Sequence, residues 1–183
     1  MNPNDFYSLI EQRQSDRKFD PDRPVPEDVL QRIIEAGRLS PSACNSQPWS
    51  FVVVTDPDTR RQLAEASSSR LLGMNHFTRQ APVHIVLVEE KANFTATIGG
   101  KMKKIHYANI DLGIAAAHIT LAATAEGLGS CIIGWVNEAK IREILGIPSG
   151  RRVVMNIMLG YSADPHRAKK RKETSEVLHR EKW

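Results

Sequence analysis

Arg13, Ser15 and Arg17 alternate near the start of the chain, and Lys169, Lys170, Arg171 and Lys172 form a run near its end. Guanidinium and ammonium groups beside a hydroxyl are the chemistry of a phosphate clamp, because they bring both charge and directed donors. Between these clusters lie two turns of small residues, at 40–49 and 127–135. In Pro41-Ser42-Ala43-Cys44-Asn45-Ser46-Gln47-Pro48-Trp49 the prolines fix the path and the small residues let a ligand approach the backbone. Asn45 and Gln47 carry paired donors and acceptors that suit a ring presenting both kinds of edge. In Gly127-Leu128-Gly129-Ser130-Cys131-Ile132-Ile133-Gly134, the N–H of Gly134 can point at such a ring. Together these pieces describe a site for a phosphorylated aromatic cofactor, spread over the whole chain.

Each piece alone has a plainer reading. Arg13 and Arg17 share a face if a first helix continues through them. If that helix ends at Arg13, the following N–H groups also point at an anion. Taken alone, the pair reads first as a solvated basic helix end, favourable to the helix dipole. Lys169 and Arg171 alone read as part of a basic tail. The glycines are no dinucleotide fingerprint, because Ile132 takes the third glycine position and the motif follows a helix. Cys131 reads as a small buried hydrophobe. Ser42, Ser46 and Ser130 lack a G-x-S-x-G setting, and no H-E-x-x-H, Walker loop or acidic metal cluster is present. A cofactor that carries the chemistry itself accounts for that pattern.

The chain has 183 residues, 41% of them apolar, which predicts one folded domain over residues 1–183. The net charge of +4 equals that of residues 166–183, where seven Lys/Arg face three Asp/Glu. No basic stripe with interleaved aromatics points to nucleic acid. Cys44 and Cys131 stand apart, without the spacing of a zinc site or a disulfide framework. The polar start reads as no signal peptide. The apolar stretch around 114–125 reads as too short to span a membrane. A cytoplasmic protein with no membrane partner is expected. Asn93-Phe94-Thr95 matches a glycosylation acceptor, which has meaning only on a secretory route.

The elements that must position these residues follow from periodicity. Phe6, Leu9, Ile10 and Arg13 have helical spacing. Pro26 suits the first position of a second helix, whose stripe is Val29, Leu30, Ile33, Ile34 and Gly37. Strands are predicted at 51–54, 84–88, 131–133 and 153–159, and a short helix at 59–67. Residues 91–104, with Gly99, Gly100 and their lysines, are expected to form a loop. Residues 105–126 give the longest helical pattern, apolar on almost every face, so it must be buried in a core or a subunit interface. Gly127 ends it, and Asn137 caps a further helix that stops at Gly146. Continuous apolar strands spaced by helices indicate a central sheet covered on both faces.

In this order the motifs resemble the FMN-dependent nitroreductase superfamily, in its small form, over nearly the full length. The resemblance rests on Arg13-x-Ser15-x-Arg17, Pro41-Ser42-x-x-Asn45-Ser46-Gln47-Pro48-Trp49 and the Ala-rich helix ending Gly127-Leu128-Gly129-Ser130-Cys131-x-Ile133-Gly134. Leu159-Gly160-Tyr161 and the basic tail ending His179-Arg180-Glu181-Lys182-Trp183 complete it. It implies an α+β fold, a mostly antiparallel central sheet flanked by helices, and an intertwined homodimer with FMN at the interface. By that likeness Arg13, Gln14, Ser15 and Arg17 bind the phosphate and ribityl side, and Lys169 and Arg171 close on the same phosphate. Pro41, Ser42, Ala43 and Asn45 come to the ring from the partner subunit, and Ile133 and Gly134 face the flavin N5 region. Gln14 stands where relatives often carry a second arginine.

The implied activity is ping-pong hydride transfer from NADPH or NADH, through FMN, to a nitroaromatic, quinone or similar electron-poor compound. No protein residue is assigned as catalytic acid or base. Lys103, Lys104, His106 and Tyr107 are placed on the substrate side. Dehalogenation, enone reduction and flavin breakdown are alternatives within the family, and a non-enzymatic flavin-binding dimer is one outside it.

Overall fold

The computed structural model describes residues 2–69 and 71–183. Strands β1 (Trp49–Val54), β2 (Val83–Glu89), β3 (Gly129–Ile133) and β4 (Arg152–Gly160) pair antiparallel in the order β1-β2-β4-β3. The helices are α1 (Pro3–Gln12), α2 (Glu27–Arg38), α3 (Pro57–Ala66), α4 (Phe94–Lys103), α5 (Tyr107–Ala125), α6 (Glu138–Leu145) and the short α7 (Thr174–Val177). The α+β architecture and the mostly antiparallel sheet are as expected.

Every residue of β2 except Glu89 is buried, which is why it reads as an unbroken apolar run. Alternate side chains serve opposite faces. Val83, Ile85 and Leu87 pack with Leu30 and Ile33 of α2 and with Leu112 and Ile119 of α5. Val86 and Val88 pack with Leu63 of α3 and Ile141 of α6. Helix α2 meets α5 closely at Gly37, where a Cβ would lie 2.7 Å from Ile119 Cγ1. On β4, Leu87 pairs with Met155 but Val88 with Val153, so Val154 is an inserted bulge residue.

Several boundaries differ from the sequence reading. Pro26 is the N-cap of α2, extended at φ −60° and ψ 144°, and Glu27 takes the first helical position. Residues 94–103 form a helix where a loop was expected. Glycines lower helix propensity, but Asn93 caps this segment, with its Oδ1 accepting from Ala96 N–H at 2.9 Å. Lys104 then turns left-handed at φ 55°, which delays the start of α5 to Tyr107.

Helix α5 is 19 residues long and apolar enough to cross a membrane by length and composition, so the apolar stretch is longer than 114–125. Its Leu112, Ala115, Ala116 and Ile119 are nonetheless buried in the core of this fold. Its C-terminus closes at Gly127, at φ 75°, as expected. Asn137 caps α6 by accepting from Lys140 N–H at 3.1 Å.

Candidate functional site

Helix α1 stops one residue before the first arginine. Arg13 is its C-cap, and its N–H donates to the Leu9 carbonyl at 3.0 Å. The chain then runs extended, so Arg13 and Arg17 do not share a helix face. Ser15 bridges Ser130 in parallel, and Asp16 N–H donates to the Ser130 carbonyl at 2.9 Å. The arginine segment therefore lies along the start of β3, at the Gly-rich motif.

Asp16 holds it there. This carboxylate is buried, takes Ser130 N–H at 3.1 Å on one oxygen, and takes Ser162 Oγ at 2.7 Å and Gln14 Nε2 at 2.9 Å on the other. Gly129 makes room for it, since a Cβ there would lie 2.8 Å from Asp16 Oδ2. Gln14 also donates to the Pro165 carbonyl at 3.1 Å and accepts from Arg167 N–H at 3.0 Å. Its amide is thus engaged in fastening the C-terminal tail, where a second arginine would add charge.

The tail returns along this segment. Arg167 donates to the Ser15 carbonyl at 2.6 Å, and Lys169 Nζ donates to the Arg13 carbonyl. Arg13, Gln14, Ser15, Arg17, Arg167, Lys169 and Arg171 line one cavity of about 280 Å³. The two basic clusters, some 150 residues apart in sequence, meet at this cavity. Arg167 is an addition that sequence reasoning missed, and its only signal was its place in the basic tail.

Of the cations lining this cavity, Arg167 pairs with Asp164 at 3.2 Å, and among the described residues Arg13, Arg17, Lys169 and Arg171 make no ion pair. Partial burial pushes the Asp164 carboxyl up, but Arg17 N–H and the Arg167 guanidinium together hold it below its ordinary range. Burial, then the neighbouring Arg13 and Arg171, lowers the Lys169 ammonium from its usual value. A cluster of cations that repel one another, with donors converging on one cavity, fits a phosphate group. Cys131 is buried, and burial pushes its thiol up, so it is the inert core residue expected.

The turn at 41–47 lies apart from this cavity. Pro41 and Asn45 are exposed, Ser42 and Ala43 half-buried, and Trp49 anchors the following strand in the core. Cys44, Asn45 and Gln47 are left-handed, at φ 52°, 49° and 47°. Ser42 Oγ accepts Gln47 N–H at 2.9 Å, and Asp111 of α5 accepts Ala43 N–H at 3.0 Å. The second Asp111 oxygen is buried without a partner. At the end of β3, Ile133 turns its side chain into the core beside Cys131 and Met158, leaving only its backbone for a ligand. Gly134 is exposed.

Lys104, His106 and Tyr107 line a separate cavity of about 440 Å³ under α4, together with Glu89. His106 Nε2 lies 2.8 Å from Glu89 Oε1. Lys103 is exposed and is not part of this lining.

An antiparallel sheet wrapped by helices thus carries a cationic cavity, built from the 13–17 segment and the 167–171 segment, whose chemistry suits an anionic group. The chain belongs to the Nitroreductase family, whose model matches residues 10–74 and 69–161. It is 32% identical over 178 residues to NADH dehydrogenase of Thermus thermophilus, covering 83% of this chain and 84% of that protein. It is 29% identical over 184 residues to iodotyrosine deiodinase 1 of Rattus norvegicus, covering 88% of this chain but only 63% of that longer protein. Its fold superposes on NADPH:FMN oxidoreductase from Vibrio harveyi, solved in complex with NAD+, with a TM-score of 0.82 and 28% identity over 98% of this chain and 78% of that one.

Proposed function

We propose that the chain is an NAD(P)H-dependent FMN oxidoreductase acting on small electron-poor organic acceptors such as nitroaromatics or quinones. The observation that carries this reading is the cationic cavity joining Arg13 and Arg17 to Arg167, Lys169 and Arg171. FMN held there would supply the redox chemistry between a reduced nicotinamide and the acceptor. The arginines and Lys169 bind the phosphate and neutralise its charge. Ser15 adds a hydroxyl, and Asp16 and Gln14 keep the arginine segment in register with the tail. Pro41, Ser42, Ala43 and Asn45 present a polar turn to the ring from a second subunit, and the backbone of Ile133 and Gly134 offers donors at the flavin edge. Lys104, His106 and Tyr107 serve the acceptor side.

A homodimer completes the site. On the outward face of α5, Ile110, Gly113, Ile114, Ala117 and Leu121 follow helical spacing, with Ile110, Gly113 and Ala117 exposed and Ile114 and Leu121 partly buried. Phe6, Tyr7 and Ile10 of α1 and Val177, Leu178 and Trp183 of the tail are exposed as well. This much uncovered apolar surface suits a second copy of the chain.

An anaerobic absorption spectrum of the FMN-loaded protein, taken before and after NADPH or NADH, tests the activity. Bleaching of the flavin bands is expected, and bands that persist with both donors would refute it. The likeness to iodotyrosine deiodinase favours reductive dehalogenation as a second reading. Turnover with a halogenated phenol in preference to nitrofurazone or menadione would select it.

A further inference from the structure

The 41–47 turn holds a backbone that its own residues disfavour. Cys44, Asn45 and Gln47 all sit in the left-handed region, where a Cβ crowds the following carbonyl. Such strain persists only where surrounding contacts over-determine it. One set of contacts comes from Asp111 of α5, on the Ala43 N–H at 3.0 Å. The other comes from a single residue at the start of α4, Asn93.

Asn93 engages both side-chain groups and its backbone N–H on two structures, the helix α4 and the turn. Its Oδ1 accepts Ala96 N–H at 2.9 Å, capping α4. Its Nδ2 donates to the Cys44 carbonyl at 2.9 Å. Its backbone N–H donates to Ser46 Oγ at 2.8 Å. The two side-chain bonds fix which way the amide points, because one partner is a donor and the other an acceptor. The Asn93-Phe94-Thr95 sequence thus has a use unrelated to glycosylation.

We infer that Asn93 is a positioning residue for the cofactor ring: it locks the Cys44-Asn45-Ser46 backbone in the conformation that meets the flavin and ties α4 to that turn. This rests on the reading that the turn faces the ring. A plain helix cap would need only the Oδ1 bond. The Nδ2 and backbone bonds leave the helix, one gripping the carbonyl of left-handed Cys44 and the other the hydroxyl of Ser46, on either side of Asn45.

Asn93→Asp separates the two roles in the FMN-loaded protein. Aspartate caps a helix as well as asparagine, so α4 keeps its N-cap. It has no donor for the Cys44 carbonyl and sets a negative charge against it. The expected result is a thermal midpoint within a few degrees of wild type. FMN affinity falls on the order of 5- to 10-fold, as for one lost hydrogen bond, and the visible flavin spectrum shifts. Asn93→Ala would show the same flavin changes with a lower midpoint. Wild-type affinity and spectrum in Asn93→Asp would overturn the inference. Asn45→Ala checks the underlying reading separately: wild-type FMN affinity and spectrum in that variant would mean the turn does not touch the ring, and the inference would fall with it.

Discussion

Arg17 presents its guanidinium from an extended segment whose backbone is gripped at both ends. Its N–H donates to Asp164 at 2.5 Å, and the preceding Asp16 is tied to Ser130, Ser162 and Gln14. That fastening lets a flexible side chain act as part of a defined anion site. Arg17→Ala should weaken FMN binding roughly 10- to 100-fold, since a hydrogen bond to a charged group contributes about 1.5–3 kcal/mol. A fluorescence titration checks this, and unchanged affinity would remove Arg17 from the phosphate site. At this scale the sequence was informative about residue types. Arg13, Arg17, Lys169 and Arg171 pointed to a clamp only in combination with the two small-residue turns, since either cluster alone reads as a solvated basic end, and the fold brings them to one cavity. Asp16 was not legible, because a carboxylate inside a basic motif looks like noise until its three donors are seen.

Between elements, the sheet and α3 are joined by a buried polar network. His84 of β2 donates from Nε2 to the Thr78 carbonyl at 3.1 Å, and its Nδ1 accepts from Asn156 of β4 at 2.9 Å. Asn156 also donates to Ser67 Oγ at 3.0 Å. Burial pushes His84 down from 6.5 to about 4, against the Thr78 hydrogen bond, with Arg60 adding to the lowering. The unfolded chain therefore takes up a proton near pH 6.5 that the folded chain refuses until about pH 4. His84's contribution to stability is full above pH 6.5 and is lost as the pH falls to about 4, amounting to about 3 kcal/mol over that window. Urea unfolding at pH 7 and pH 4.5 should show the loss, and an NMR titration should find His84 still neutral at pH 5 in the folded state. Protonation near 6.5 in the native protein would contradict this account.

For the whole molecule, the outward face of α5 is where the proposed second copy would pack. Ala117 lies mid-way along the outward stripe and is exposed. Ala117→Arg puts a long cation where a second copy would pack, while leaving Leu112 and Ile119 in their own core. Sedimentation of the wild type as a dimer and of Ala117→Arg as a monomer with reduced FMN content is expected. A wild-type monomer that holds a full complement of FMN would refute the shared site.

The sequence by itself determined the elements whose signal is local. The strands at 51–54, 84–88, 131–133 and 153–159 were legible, because a β2-like run buried on both faces has no polar alternation to disguise it. So were the all-round apolar α5, the cap at Asn137 and the stop at Gly127, each of which depends on neighbours within one turn. Only the tertiary structure decided the rest. Helix α4 forms despite Gly99 and Gly100 because it is anchored through Asn93 to a turn almost 50 residues away in sequence. The Cys44–Asn45 backbone is left-handed where Asp111 takes the Ala43 N–H and Asn93 donates to the Cys44 carbonyl, two contacts from distant segments. Arg13 and Lys169 meet because Asp16 and Gln14 fasten the tail, a closure of some 150 residues that no periodicity encodes. Local propensity is written in spacing, whereas contacts between distant segments exist only once the core has packed and set the backbones side by side.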